Sequence, residues 1–195
     1  MSNFNLHAPG DAVTDPQVAL TYLKEGNARF VNDTPIPRNT NKADLEVTSG
    51  GQKPFAAILT CADSRVCPEI FFDQKIGDIF ILRNAGNVAE PASVGSIEFG
   101  TKHLGAPLVV VVGHTKCGAV YTAHAGATGL SDALQAVIDG LKPNVKDSAD
   151  EETGVIDNVK IQVAALKANP VLKEQGTMVL GAVYDLTTGV VNFLD

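Results

Sequence analysis

Residues 108–118 read LVVVVGHTKCG, and residues 55–65 read FAAILTCADSR. Each stretch opens with a short, almost continuously apolar run, which is typical of a strand covered on both faces in a parallel sheet. Each run then changes abruptly into polar and sulfur-bearing residues. Because the carboxyl ends of parallel strands lie at one edge of a sheet, these two segments are predicted to meet there.

The rest of the chain alternates predicted strands and helices. Further strands are predicted at residues 79–82, 178–184 and 190–194, and helices at 14–32, 91–104, 117–124, 130–141 and 155–169. The polar stretches 33–53 and 142–153 are predicted to be a connecting arm and a loop. The pattern indicates an α/β fold, a three-layer α/β/α arrangement with a mostly parallel central sheet of about five strands and an extended N-terminal helical arm.

The chain is predicted to be one domain with an N-terminal extension. Residues 54–195 suffice for an α/β core that carries the polar strand ends, whereas the helix and arm in residues 1–53 have no obvious place on its sheet. We therefore expect the arm to pack on a partner subunit, which gives a homodimer or a higher even oligomer.

Composition narrows the classes of function. Among the 195 residues, 45% are hydrophobic and 19% are charged, which argues against a disordered chain. The net charge of −7 argues against nucleic acid or an anionic membrane as a partner, and no apolar run is long enough to span a bilayer. The N-terminus shows no signal-peptide pattern, so a cytoplasmic protein is expected. An odd number of cysteines, 3, favours metal binding or catalysis over a disulfide framework.

Cys61, His114 and Cys117 are candidate metal ligands at the predicted sheet edge. Thiolate and imidazole groups favour zinc over magnesium or calcium, and a catalytic zinc site commonly has three protein ligands and one open position. Spacing alone leaves open that the cysteines are small, buried, apolar residues.

Asp63 and Arg65 lie beside the first candidate ligand, with one residue between them. In an extended or turn segment they point to a common side, where the planar guanidinium can bind the carboxylate with two hydrogen bonds. Such a pair would hold the aspartate away from the open metal position. A structural ion pair that only orders the loop is the alternative.

At this point the chain resembles a known family. Cys61-Ala-Asp-Ser-Arg-Val66 and His114-Thr-Lys-Cys-Gly118 resemble the two signatures of the β-carbonic anhydrases, and the segments 26–30, 83–87 and 181–185 extend the resemblance along the chain. The resemblance implies reversible hydration of carbon dioxide to bicarbonate and a proton, through hydroxide on one zinc ion per subunit.

The resemblance also implies roles for individual residues. Cys61, His114 and Cys117 match the zinc ligands, and Asp63 and Arg65 match a catalytic dyad. The residues that match the substrate pocket are Gln52, Phe80, Phe99 and Gly118. In the family, the counterpart of Phe80 reaches the site across a dimer interface.

The chain departs from the family pattern at several positions. Phe99 stands where plant-like members carry tyrosine, which removes a hydroxyl from the pocket. Ile58 stands where a regulatory bicarbonate site in some bacterial members has tryptophan, so that regulation is not expected; Arg83 and Tyr184, which match its other members, are expected to serve structure. Ala85-Gly86 replaces bulkier residues and is expected to widen the pocket.

Three other functions remain open at this stage. A hydrolase of carbon disulfide or carbonyl sulfide could use the same scaffold and ligand set. A noncatalytic zinc protein would have a closed site, with aspartate as the fourth ligand. A cysteine redox enzyme is disfavoured because the chain lacks a C-x-x-C pair, and Cys67 is expected to be a packed free thiol.

Overall fold

The computed structural model describes residues 12–36 and 42–194 of the chain. Its single sheet contains the strands β1 (Ala56–Cys61), β2 (Ile79–Asn84), β3 (Leu108–His114), β4 (Met178–Tyr184) and β5 (Val191–Leu194). The strand order is β2-β1-β3-β4-β5; the first four strands are parallel, and β5 runs antiparallel to β4. The predicted, mostly parallel five-stranded sheet is therefore confirmed.

Helices cover both faces of this sheet. They are α1 (Pro16–Val31), α2 (Lys42–Ser49), α3 (Pro68–Phe71), α4 (Pro91–Glu98), α5 (Gly118–His124), α6 (Asp132–Val145), α7 (Glu151–Ala168) and α8 (Pro170–Glu174). A π-helical turn at Phe99–His103 continues α4. No helix among the described residues is both long enough and apolar enough to cross a bilayer.

Side chains of the central strands alternate between two separate cores. Ala57 and Leu59 of β1 belong to the core beneath α5, α6 and α7, whereas Ala56 and Ile58 belong to the core beneath α1 and α3. Both faces of β1 and β3 are buried along their whole length, as their continuously apolar sequences predict. The three-layer α/β/α architecture follows from this two-sided burial.

Helix α1 lies on the sheet of its own chain. Asp15 caps it by accepting a hydrogen bond from Gln17 N at 2.8 Å, and Leu23 is fully buried in the core. The Asn27 side chain donates to Gly189 O at 2.8 Å and accepts from Val191 N at 2.9 Å, which ties α1 to the β4–β5 end of the sheet. The expectation that this helix has no place on the core is corrected, while contact of residues 1–53 with a partner subunit stays a prediction.

Both polar stretches differ from their predicted conformation. The 33–53 segment contains α2, a short helix that its polar composition concealed, and residues 1–11 and 37–41 of the predicted arm lie outside the described residues. The predicted loop 142–153 is shorter, because α6 continues through Pro143 to Val145 and α7 begins at Glu151. The Asp150 side chain caps α7 by accepting from Thr153 N at 2.7 Å, which explains its early start.

Candidate metal centre

The ends of β1 and β3 bring three candidate ligands together. Cys61 is the last residue of β1, His114 the last of β3, and Cys117 follows on the turn into α5. One possible donor atom from each residue lies within 4.8 Å of the other two, and all three residues are buried. Because β1 and β3 are adjacent parallel strands, this convergence follows from the sheet order.

The imidazole of His114 presents a bare nitrogen to this group. Its Nδ1 lies 2.9 Å from the Thr115 carbonyl oxygen, which can only accept, so Nδ1 carries the proton and Nε2 has a free lone pair. Nε2 is buried and has no hydrogen-bond partner among the described residues. A buried polar atom without a partner is costly, and coordination to a metal removes that cost.

The two cysteines complete a donor set that fits zinc. Cys61 Sγ accepts a hydrogen bond from the Gly86 N–H, with an N···S distance of 3.5 Å. The neighbouring Cys117 thiol lowers the pKa of Cys61, and the same pairing raises the pKa of Cys117. Two sulfurs and one unprotonated imidazole nitrogen are ligands that zinc prefers, and they leave one tetrahedral position to another group.

Asp63 and Arg65 form the predicted two-point ion pair. Arg65 Nε donates to Asp63 Oδ1 at 2.9 Å, and its Nη2 donates to Oδ2 at 2.7 Å. Asp63 Oδ2 also lies 3.9 Å from His114 Nε2, so the carboxylate borders the ligand group. The hydrogen bonds from Arg65 hold the pKa of Asp63 well below its usual range, so the carboxylate remains ionised.

A second arginine fixes the backbone beneath this pair. Arg83 Nε donates to the Cys61 carbonyl oxygen at 3.0 Å, and its Nη2 donates to the Asp63 carbonyl oxygen at 2.6 Å. Tyr184 stacks on Phe71 with ring centroids 4.2 Å apart. Both residues therefore make the structural contacts expected from the sequence.

Glu152 supports the turn that carries Cys117, a role that the sequence did not indicate. Lys116 has φ of 58°, an unusual conformation for a residue with a side chain, and Glu152 Oε1 accepts from its backbone N at 3.3 Å. The same carboxylate accepts a short hydrogen bond from the Tyr121 hydroxyl. Glu152 lies at the exposed start of α7 and also braces the turn between His114 and Cys117.

The four residues predicted to line the substrate pocket lie in separate parts of the structure. Phe80 is partly buried on β2, and its ring centroid lies 6.3 Å from that of Phe99, which is 48% exposed. Gly118 begins α5 directly after Cys117. Gln52 is exposed before β1, and no hydrogen bond joins it to the ligands within the described part of the chain. Their roles stay predictions.

Ala85-Gly86 was expected to widen the pocket, but the surroundings of Gly86 are closely packed. An added Cβ at this position would meet Leu141 Cδ1 at 2.7 Å, because the backbone itself approaches α6 closely. Its φ of +79° is also a conformation that favours glycine. The glycine thus serves backbone placement beside Cys61.

Comparison with known proteins agrees with this geometry. A carbonic anhydrase family model matches residues 56–191, which is more than half of the chain and spans both signatures. A solved β-carbonic anhydrase of Aspergillus fumigatus superposes with a TM-score of 0.70 at 30% identity, covering 92% of this chain and 90% of that one. The chain belongs to the β-carbonic anhydrase family.

Two curated carbonic anhydrases differ in how much of their length is matched. Carbonic anhydrase 2 of Mycobacterium tuberculosis is 45% identical over 130 residues, which is 67% of this chain and 58% of the relative. A carbonic anhydrase of Pseudomonas aeruginosa is 33% identical over 165 residues, with 74% of each protein covered. This chain thus matches little more than half the length of the mycobacterial relative.

Proposed function

We propose that this chain is a zinc-dependent carbonic anhydrase that interconverts carbon dioxide with bicarbonate and a proton. The observation that carries the proposal is His114 Nε2, buried without a described partner and 3.9 Å from an Asp63 oxygen that Arg65 binds. Cys61, His114 and Cys117 would hold one metal ion per chain. When bound, zinc supplies a Lewis acid that makes hydroxide available from water near neutral pH.

Asp63 and Arg65 would orient the nucleophile. Arg65 donates hydrogen bonds from its Nε, its Nη2 and its backbone N to the Asp63 carboxylate, so the carboxylate cannot rotate freely. Because the pKa of Asp63 is depressed, its Oδ2 acts as a hydrogen-bond acceptor and does not take up the proton. Accepting the nucleophile's O–H bond there would aim an oxygen lone pair at the carbon of the substrate.

The substrate would enter beside an aromatic surface. Phe80 and Phe99 provide apolar contacts suited to a small, linear, neutral molecule. As bicarbonate forms, negative charge develops on a substrate oxygen. The side-chain amide of Gln52 and the backbone N–H of Gly118 are the groups proposed to donate hydrogen bonds to that oxygen.

We further propose that the active form is a homodimer or a higher even oligomer. The exposed side of Phe99 lies next to Phe80 on β2, an edge strand of the sheet. An apolar surface at a sheet edge is well suited to burial by a second subunit. Light scattering of purified protein tests this, and a monomer with full activity contradicts it.

A cytoplasmic location is part of the proposal. The described cysteines are all free, and two of them would have to stay reduced to bind metal. Fractionation of cells that express the tagged chain tests the location, and recovery outside the cytoplasm contradicts it.

The deciding experiment is stopped-flow hydration of carbon dioxide on protein of measured zinc content. The expected result is rapid hydration with about one zinc per chain and a rate that rises with pH as hydroxide becomes available. Full zinc occupancy without hydration at any pH contradicts the proposal. Parallel assays with carbon disulfide and carbonyl sulfide then separate a sulfur-substrate hydrolase from a noncatalytic zinc protein.

A further inference from the structure

Asn158 of α7 lies fully buried, away from the ligands, yet its hydrogen bonds lead directly to Cys61. Its Nδ2 donates to the Gly86 carbonyl oxygen at 2.9 Å, and the Gly86 N–H donates to Cys61 Sγ at 3.5 Å. Both backbone groups of Gly86 are therefore hydrogen-bonded. Its carbonyl oxygen accepts from a side chain of α7, and its N–H donates to the sulfur of a candidate ligand. No sequence motif assigns a role to Asn158.

The side-chain amides of Asn158 and Gln162 form a short series of hydrogen bonds that has a backbone group at each end. These two backbone groups fix the orientation of the Asn158 amide. Its Oδ1 accepts from Gln162 Nε2 at 3.1 Å, and Gln162 Oε1 accepts from the Ala89 backbone N–H at 2.9 Å. A carbonyl oxygen can only accept and a backbone N–H can only donate. Both side-chain amides therefore have one orientation that satisfies every partner.

These contacts immobilise the loop at residues 85–89, which follows β2. Asn84 closes it by accepting from Val88 N and donating to Val88 O, both at 2.8 Å, while α7 holds Gly86 and Ala89. Asn158 and Gln162 are 0% and 5% exposed, so water does not compete for these hydrogen bonds. Three side-chain carboxamides, two of them buried, therefore hold the loop.

Helix α7 is itself fixed against the strand that carries His114. An added Cβ on Gly113, the preceding residue of β3, would meet Val159 Cγ2 at 2.7 Å, so helix and strand are in close contact. Val159 is adjacent to Asn158 and is fully buried. One rigid helix therefore sets the position of the 85–89 loop relative to the ligand strands.

We infer that Asn158 is a positioning residue for the metal centre: it aims the Gly86 N–H at Cys61 Sγ and so tunes the donor strength of that ligand. A hydrogen bond to a metal-bound sulfur withdraws electron density from it, which leaves the metal a stronger Lewis acid. Losing the bond makes the sulfur a stronger donor and frees the loop. The inference rests on the zinc site proposed above and adds a residue remote from it.

Replacing zinc with cobalt gives a spectroscopic signal that should not change if Asn158 has only a structural role. The sulfur-to-cobalt charge-transfer band reports the donor strength of the cysteines directly. In Asn158→Leu, a side chain of similar size that cannot donate, the band is expected to move to lower energy. Because the freed loop holds Cys61 less firmly, zinc affinity, measured by competition with a chromogenic chelator, is expected to fall about 10- to 100-fold.

Asn144→Leu is the matched control. Asn144 Nδ2 donates to Asn158 Oδ1 at 3.0 Å, so this change removes a hydrogen bond from the same network without touching the 85–89 loop. Its charge-transfer band is expected to match that of the unmodified chain. A band that is unmoved in Asn158→Leu, or that moves equally in Asn144→Leu, overturns the inference.

A milder variant and the unmodified chain complete the test. Asn158→Ser leaves room for water and is the substitute where Asn158→Leu gives no folded protein; an unmoved band in it likewise overturns the inference. If the unmodified chain binds no cobalt, the metal centre and this inference fall together. If it binds cobalt and only the expected shift is missing, the metal centre stands and the role of Asn158 is rejected.

Discussion

Arg83 reaches across from β2 and donates to the backbone carbonyl oxygen of Asp63 at 2.6 Å, while its Nε holds the carbonyl oxygen of Cys61 at 3.0 Å. One guanidinium thus fixes the backbone of a candidate ligand and of the carboxylate beside it. Charge-assisted hydrogen bonds of this kind are stronger than neutral ones. The separation between ligand and carboxylate is therefore set through the backbone, by hydrogen bonds from Arg83 to the two carbonyl oxygens.

Replacing this arginine should weaken the site while the fold survives. Arg83→Lys keeps the positive charge but has a single ammonium group, which cannot reach both carbonyl oxygens with the same fork. We expect the hydration rate at full zinc occupancy to fall about 10- to 100-fold. Stopped-flow kinetics and metal analysis check this, with circular dichroism to confirm folding. Wild-type activity would show that the backbone holds its position without Arg83.

The ion pair between Asp63 and Arg65 should be needed for activity and dispensable for metal binding. Asp63→Asn replaces one carboxylate oxygen with a donor, and Arg65→Gln removes the planar fork that holds the carboxylate. Each is expected to lower the rate about 100-fold or more, by analogy with the loss of a preorganised transition-state contact. Zinc content per chain should be unchanged. Full activity in either variant at equal zinc content refutes the proposed orienting role.

The contact between Tyr121 and Glu152 should make stability depend on alkaline pH. Burial and the adjacent Glu152 carboxylate raise the pKa of Tyr121 to about 12, above its ordinary value of about 10. A group with a raised folded-state pKa contributes stability that is present below its unfolded pKa and is lost as pH rises through the folded value. The stability advantage over Tyr121→Phe should therefore hold below about pH 10 and fade by about pH 12.

Urea unfolding of both proteins at a series of pH values measures this difference. At neutral pH, Tyr121→Phe should be less stable by about 1 kcal/mol, because the carboxylate loses a hydrogen-bond donor. Comparing the two proteins at each pH cancels the titration of groups that they share. A stability difference that stays constant between pH 9 and 12 contradicts the predicted linkage.

Zinc should stabilise the folded chain through the three buried ligands. A ligand that binds only the folded state stabilises it by about 4 kcal/mol at a free concentration 1,000 times its Kd. Calorimetry with and without zinc should therefore show a higher melting temperature for the zinc-loaded protein, and His114→Ala should abolish the difference. A shift of equal size in His114→Ala would place the stabilising metal elsewhere on the chain.

The sequence predicted the central strands and the ligand group because both leave local patterns. Continuous apolar runs marked β1 and β3, and the residues after each run marked the sheet edge where Cys61 and His114 meet. Asp63 and Arg65 were found for the same reason, since their spacing alone allows the two-point pair. The features that a strand's own sequence and the residues directly after it reveal were therefore predicted.

What the sequence did not reveal depends on contacts between distant segments. Asn158 and Gln162 look like ordinary polar positions of an amphipathic helix, but they are four residues apart on the side that also carries the buried Val159. That shared face was the available signal that both amides point inward. The brace from Glu152 to the Lys116 backbone had no such signal, because an acidic residue at a helix start is usually explained by the helix itself.

The position of β1 next to β3, with β2 on its outer side, also bears on how the protein is made. During synthesis Cys61 leaves the ribosome well before His114 and Cys117, with all of β2 and α4 in between. Until β3 pairs with β1, Cys61 lacks its two fellow ligands and is open to oxidation and to competing metals. The three ligands of the proposed zinc site can therefore meet only after β3 has paired with β1.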